Sequence, residues 1–402
     1  MVLAARGSSI GGRSTHGIVY AITLADANAT LMLSRDSNTE PATGQAAQMH
    51  GKALAGASVD LYRRGPIPAM IFRGARRHTS MTSTTQPPNA ELDRASFSAS
   101  VERYRRELHV HCYRMLGSFE ESEDLVQEAF LRAWRRRETF EGRSSLRAWL
   151  YKIATNACLD ALDKRPRTVS ATGEVLWLQP YPDQLLEDLA GEGDDPEAAV
   201  VSKETIELAY LVAIQRLVPL QRAVLILRDV LGCSAKETAG VLETSVPAVN
   251  SALQRARARM HEYLPERRDE WRSDTDATAA ERELLDRYVE YSESPEPIRL
   301  KRLLSEDVRF SMPPQPGIWE GRDEVVQSWI DGGFGSESFG SLRCVLARAN
   351  RQPAVACYVR KPGDDRYSPL AIDVLRIVDE AVADIVTFDG SVFSWFGLPE
   401  AL

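Results

Sequence analysis

The chain has 402 residues, 44% hydrophobic and 26% charged, with a formal net charge of −8. That is the make-up of a soluble globular protein with room for two or three domains. The charge excludes a uniformly basic nucleic-acid binder but allows local basic faces, so it is read segment by segment.

No run approaches the ~18 apolar residues of a membrane span. Five scattered cysteines, in no CxxC spacing, point to reduced, mostly buried thiols in a cytoplasmic protein. Residues 1–94 are rich in Gly, Ser, Thr and Ala without periodicity. They read as a disordered or mis-started extension, with Met81 as an alternative start.

From Ala95 a helical stripe of Val101, Tyr104, Leu108, Cys112 and Met115 runs to Gly117, a natural C′ residue. Ser118 and Glu121 form a capping box for a second helix, acidic at its start and rich in Arg at its end, which suits the macrodipole. Beyond the loop Thr139–Arg143, a third helix carries Leu146, Trp149, Leu150, Ile153, Ala157 and Leu162 on one face. A helical domain over 95–167 follows. Residues 168–198 hold Pro180, Pro182 and Pro196 among many acids and read as an acidic linker that leaves its neighbours free to move.

Helices resume over 199–264. Ser234 with Glu237 spells a capping box, and a short helix ends near Leu242. Ser245 caps the next helix, with Pro247 in its first turn. There Val249, Leu253, Ala256 and Met260 make one buried face, while Asn250, Ser251, Gln254, Arg255 and Arg257 make the other. Donors and acceptors come first and guanidinium groups after, the order of a recognition helix whose N-terminal residues meet base edges. Residues 265–278 form a polar tether. Over 279–402, two amphipathic helices (Glu281–Tyr291, Ile298–Leu304) precede the segment Val308–Met312 and a helix near Asp323–Trp329. Two hairpins follow, across Asn350–Pro353 and across Asp379–Glu380, giving an α+β domain.

Ser122–Trp134 and Phe140–Arg167 closely resemble region 2 of the extracytoplasmic-function sigma factors, and Pro219–Tyr263 resembles their region 4. The last domain resembles the SnoaL-like cone of the ketosteroid-isomerase superfamily. The resemblance implies a multidomain fold: two all-α domains, sigma region 2 (95–167) and the region 4 helix-turn-helix (199–264), then an α+β cone (279–402). It implies an alternative sigma factor that binds the β′ and β subunits of core RNA polymerase and promoter DNA in the cytoplasm. No cofactor, metal or membrane is expected, and a small ligand in the cone is left open.

Glu123, Asp124, Gln127 and Glu128 are then expected to dock on the polymerase. Phe140, Arg143, Arg147, Lys152 and Asn156 are expected to hold the melted minus-ten element, where a flipped base is captured. Ser245, Asn250, Ser251, Gln254, Arg255 and Arg257 are expected on the minus-thirty-five element. Many relatives carry Lys at the position of Asn250, Arg at Ala252 and His at Gln254. Asn and Gln favour adenine through its N6 and N7, so an adenine-containing motif is expected.

Two competing functions are weighed. A cyclase or isomerase in the cone needs an Asp or His base with an oxyanion partner. No histidine follows His261, and Asp307, Asp373, Asp384, Tyr288 and Tyr291 stand in no motif. A two-helix activator leaves residues 120–167 unexplained.

Overall fold

The computed structural model describes residues 20–21, 32–33, 94–140, 145–165, 167, 169, 173–187, 206–264, 278–294 and 296–402. The extension over 1–94 lies almost wholly outside these residues. So do Arg143, the helix start at Ala199 and the tether up to residue 277.

The first domain is built on α1 (Arg94–Glu102), α2 (Arg105–Leu116), α3 (Phe119–Arg135) and α4 (Leu146–Lys164). The expected single stripe is broken by a turn at Arg103–Tyr104, where the Tyr104 N–H donates to the Val101 carbonyl (3.0 Å). α2 ends at Gly117 with φ +71°, the left-handed residue a helix stop requires. Ser118 caps α3 by accepting from the Glu121 N–H. Glu121 itself turns to Arg167, so only half of the expected capping box forms. From Leu108 to Leu116 every residue of α2 is buried, His109, His111 and Arg114 included.

After the short α5 (Gln184–Glu187), the second domain holds α6 (Leu208–Gln215), α7 (Pro219–Leu225, continued by a π turn over Ile226–Val230), α8 (Ala235–Val241) and α9 (Val246–Tyr263). The Ser234–Glu237 capping box is complete, and Ser245 caps α9. Val249, Ala252, Leu253, Ala256 and Met260 form the buried face of α9. One side chain organises this domain's core. The Arg222 guanidinium donates to the carbonyls of Ile214 (3.1 Å), Gln215 (2.8 Å) and Leu217 (3.1 Å) and to Gln215 Oε1 (2.6 Å). It also donates to the Met115 carbonyl at the end of α2, so it joins the two helical domains. Burial pulls its pKa down to about 9, and its five donors all point at oxygen.

The last domain starts with α10 (Ala279–Glu293), again behind a full capping box from Thr278 and Glu281. α11 (Pro297–Lys301) and α12 (Arg322–Asp331) pack beside one six-stranded sheet. Its strands are β1 (Leu304–Met312), β2 (Gln315–Glu320), β3 (Ser341–Ala349), β4 (Gln352–Arg360), β5 (Ser368–Val378) and β6 (Ala381–Asp389), in the order β2-β1-β6-β5-β4-β3. β1 and β6 run parallel and every other pair is antiparallel. Both expected hairpins form over two-residue turns. Asn350 and Arg351 (φ +56°, +62°) and Asp379 and Glu380 (φ +48°, +61°) take the positive angles that a type I′ turn requires.

Candidate nucleic-acid interface and docking faces

On α9, Ser245, Asn250, Ser251, Gln254, Arg255 and Arg257 are all exposed along one side. The buried face opposite fixes which way they point. Ala252 is 2% exposed and belongs to that buried face, so an arginine there would need a different packing. Arg255 Nη1 donates to the Ser251 hydroxyl (2.6 Å) one turn back, leaving the guanidinium without a carboxylate partner among the described residues. Arg257 is different. It forks onto Asp229, Nε to Oδ2 at 2.9 Å and Nη2 to Oδ1 at 2.7 Å. A phosphate at Arg257 has to compete with that carboxylate.

The expected docking face lies on α3. Asp124 is exposed, while Gln127 and Glu128 are half-buried. Glu128 accepts from Arg132 Nε (2.8 Å) in an i,i+4 pair. Glu123 departs from the expected solvated face. Arg105 reaches over from α2 and donates to its Oε1 (2.8 Å), and only 18% of the side chain is exposed. His109 Nε2 lies 3.9 Å from Glu123 Oε2. Burial holds that ring's pKa down at about 3, so the contact is not an ion pair near neutral pH.

The described minus-ten candidates share the α4 side of the first domain. Phe140 tilts against Trp149, centroids 5.2 Å apart. Arg147 donates to Glu107 (2.8 Å) and lies over the Tyr151 ring (5.0 Å). Lys152 and Asn156, one turn apart, are half-buried. Lys152 Nζ lies 3.2 Å from Glu243 Oε1, in the turn of the helix-turn-helix. The second domain therefore packs onto this face. With side chains 37% and 75% exposed, that pair contributes at most about 1 kcal/mol, and burial has to carry the closure.

The linker is the main correction. Its composition predicts freedom, yet 173–187 is threaded between all three domains. Tyr181 is 1% exposed, 4.8 Å from the Tyr113 ring and 5.3 Å from Phe119. Its hydroxyl meets His109 Nδ1 at 2.9 Å. The β3–β4 turn of the last domain inserts beside it. Asn350, 0% exposed, accepts from the Tyr181 N–H through Oδ1 (2.8 Å). Its Nδ2 donates to the Tyr113 hydroxyl (2.9 Å) and the Ile206 carbonyl (2.8 Å). One amide thus touches the first domain, the linker and the chain leading into α6.

Neighbours extend the seam. Asp183 accepts from the Arg351 N–H (2.7 Å) and Arg348 Nε (3.2 Å), with burial raising its pKa and these partners opposing the rise. Gln352 Oε1 accepts from the Leu208 N–H (3.1 Å), an orphan donor at the start of α6. Trp395 stacks on Phe119 at 4.9 Å. Sequence reasoning passed over Asn350, Tyr181, Asp183 and Arg222. An Asn opening a two-residue hairpin marks a turn, but nothing local says what its amide faces.

The Sigma-70 region 2 family model matches residues 100–168, and the Sigma-70 region 4 model matches 207–260. The ECF RNA polymerase sigma factor SigG of Mycobacterium tuberculosis is 41% identical over 330 residues, spanning 78% of this chain and 86% of that protein. SigW of Bacillus subtilis is 31% identical over 175 residues, 43% of this chain and 90% of its own. Among solved structures, the extracytoplasmic function sigma factor SigJ of Mycobacterium tuberculosis aligns with TM-score 0.49 and 26% identity, over 75% of this chain and 99% of that one.

Proposed function

Because the chain belongs to the extracytoplasmic-function sigma factors and so directs core RNA polymerase to promoters, we propose specific roles for its faces and a regulatory role for its last domain. Asp124, Gln127 and Glu128, with Glu123 beneath them, dock on the polymerase. Phe140, Arg143, Arg147, Lys152 and Asn156 hold the melted minus-ten strand. Ser245, Asn250, Ser251 and Gln254 read the minus-thirty-five element, with Arg255 and Arg257 on its phosphates. The work is done in the cytoplasm, where core polymerase acts.

The last domain is a fused regulator rather than an enzyme. The observation that carries this is Asn350, whose amide joins region 2, the linker and the start of region 4. Those bonds favour the arrangement in which Lys152 lies against the helix-turn-helix. Promoter binding needs both faces open, so any partner that prefers the open form shifts the balance by its differential affinity. Fusion supplies an effective concentration near the millimolar range, enough for a modest interface to matter. Of the carboxylates considered for catalysis, Asp373 accepts from the Tyr288 and Thr387 hydroxyls, and Asp384 lies beside Arg376.

The test compares full-length protein with truncations ending near Leu264 and near Pro399. Promoter-specific transcription is measured per holoenzyme at equal polymerase occupancy. Different activities are expected. Equal activity in all three removes the regulatory role and reopens the cyclase or isomerase reading.

A further inference from the structure

In the last domain the sheet and its helices line a half-open cavity of about 140 Å³. An engineered apolar cavity of ~150 Å³ stays dry and takes up benzene, so this one is the size of a single ring. Rings line it: Phe310, Trp329, Phe334, Phe339 and Phe388. Phe310 and Trp329 stand edge to face at 5.8 Å, and Phe334 and Phe339 do so at 5.7 Å. The latter pair comes from the turn 332–340, where Gly333, Gly335 and Gly340 all take φ near +90°.

Two acids line this space: Asp389 is exposed and caps the next turn by accepting from the Ser391 N–H (2.9 Å), which leaves Asp373 as the carboxylate set among the rings. Asp373 accepts from the Thr387 hydroxyl (Oδ1, 2.5 Å) and the Tyr288 hydroxyl (Oδ2, 3.1 Å), and all three residues line the cavity. A carboxylate offers about four acceptor positions, so two remain. We propose that the cavity binds a small neutral phenol-type molecule whose ring packs among the aromatic side chains and whose hydroxyl donates to Asp373. A neutral donor suits the site better than an ammonium group, whose transfer from water costs several kcal/mol. Burial raises the pKa of Asp373, and the two hydroxyls oppose that rise by stabilising its charge. Tyr288 is pushed well above its ordinary value and stays a donor.

This reading names a ligand class for the fused domain. It stands apart from promoter control, because binding is measured without polymerase or DNA. The experiment titrates the full-length chain with phenol, toluene and benzylamine by calorimetry. Phenol and toluene differ only by hydroxyl against methyl. Saturable phenol binding is expected, with toluene and benzylamine at least tenfold weaker. In Asp373→Leu, phenol weakens at least tenfold while toluene is unchanged or tighter. No saturable phenol binding at millimolar concentration, equal affinity for phenol and toluene, or tighter binding of benzylamine overturns the proposal. If Asp373→Leu loses cooperative unfolding, the three wild-type affinities decide the matter alone.

Discussion

Replacing Asn350 by Ala tests whether the last domain is bonded to the others or only rests against them. The substitution strands two buried main-chain groups, the Tyr181 N–H and the Ile206 carbonyl. Each costs about 1–3 kcal/mol when left unpaired. The Tyr113 hydroxyl suffers less, because it still donates to the Gln179 carbonyl at 2.7 Å. At φ +56° an alanine adds about 1 kcal/mol of backbone strain, which Asn tolerates and Gly avoids.

The sum is about 3–7 kcal/mol against the docked arrangement. Asn350→Gly should be about 1 kcal/mol milder. Hydrogen exchange of the full-length chain reads this directly, through the peptide spanning 178–187. A decade in the opening equilibrium is ~1.4 kcal/mol, so Asn350→Ala should exchange at least about a hundredfold faster there. Protection within threefold of wild type would refute the reasoning.

Charge reversal at Asp124 and Glu128 should abolish co-purification with core polymerase while thermal unfolding stays cooperative; retained binding in the folded double variant counts against the docking face. Arg255→Ala should weaken DNA binding on every sequence and lower the salt slope by about 1. Arg257→Ala should do less, because Asp229 already holds that guanidinium, and a larger effect than at Arg255 would invert this order. Asn250→Ala or Gln254→Ala should instead relax sequence preference by about 1–3 kcal/mol per lost base pair contact, read by selection of bound sequences. Selected sites with no adenine at any specified position would discard the expected motif. His109 and His111 titrate near 3 when folded against 6.5 otherwise, mainly because burial opposes the charged ring. The unfolded chain therefore binds protons first as pH falls. Stability should drop from pH 6.5 to 5 by about 1.5 kcal/mol per ring. Urea titrations of His111→Gln should show that loss reduced by one ring's share.

Periodicity and capping carried most of the helical architecture. Ser234, Glu237 and Ser245 mark helix starts by local chemistry, and the apolar stripe of α9 sets its exposed side without reference to the rest of the chain. Both hairpins were legible because two-residue turns leave a local signature. β2 was not, since Gln315–Glu320 carries Pro, Gly and one Trp rather than an alternating pattern. The parallel pairing of β1 with β6 joins segments about 75 residues apart and has no local trace. The linker was misread for a related reason. Its acids and prolines suggest a solvated tether, whereas Leu178, Tyr181 and Leu186 are buried in a hydrophobic cluster shared with the other domains. Glu123 likewise reads as part of a charged face until Arg105 arrives from the neighbouring helix.

The bonds of Asn350 span 169 residues to Tyr181 and 237 to Tyr113. A ribosome delivers the chain from one end at about 5–20 residues per second. When Leu264 has been made, regions 2 and 4 are complete, and Asn350 is still 350 − 264 = 86 residues away. For roughly 4–17 s at that pace, every newborn molecule has both DNA-facing domains and no turn to bind them together. The Asn350 bonds are thus the last to be added, and polymerase that meets the chain during its synthesis meets two helical domains joined by Arg222 and their own packing alone.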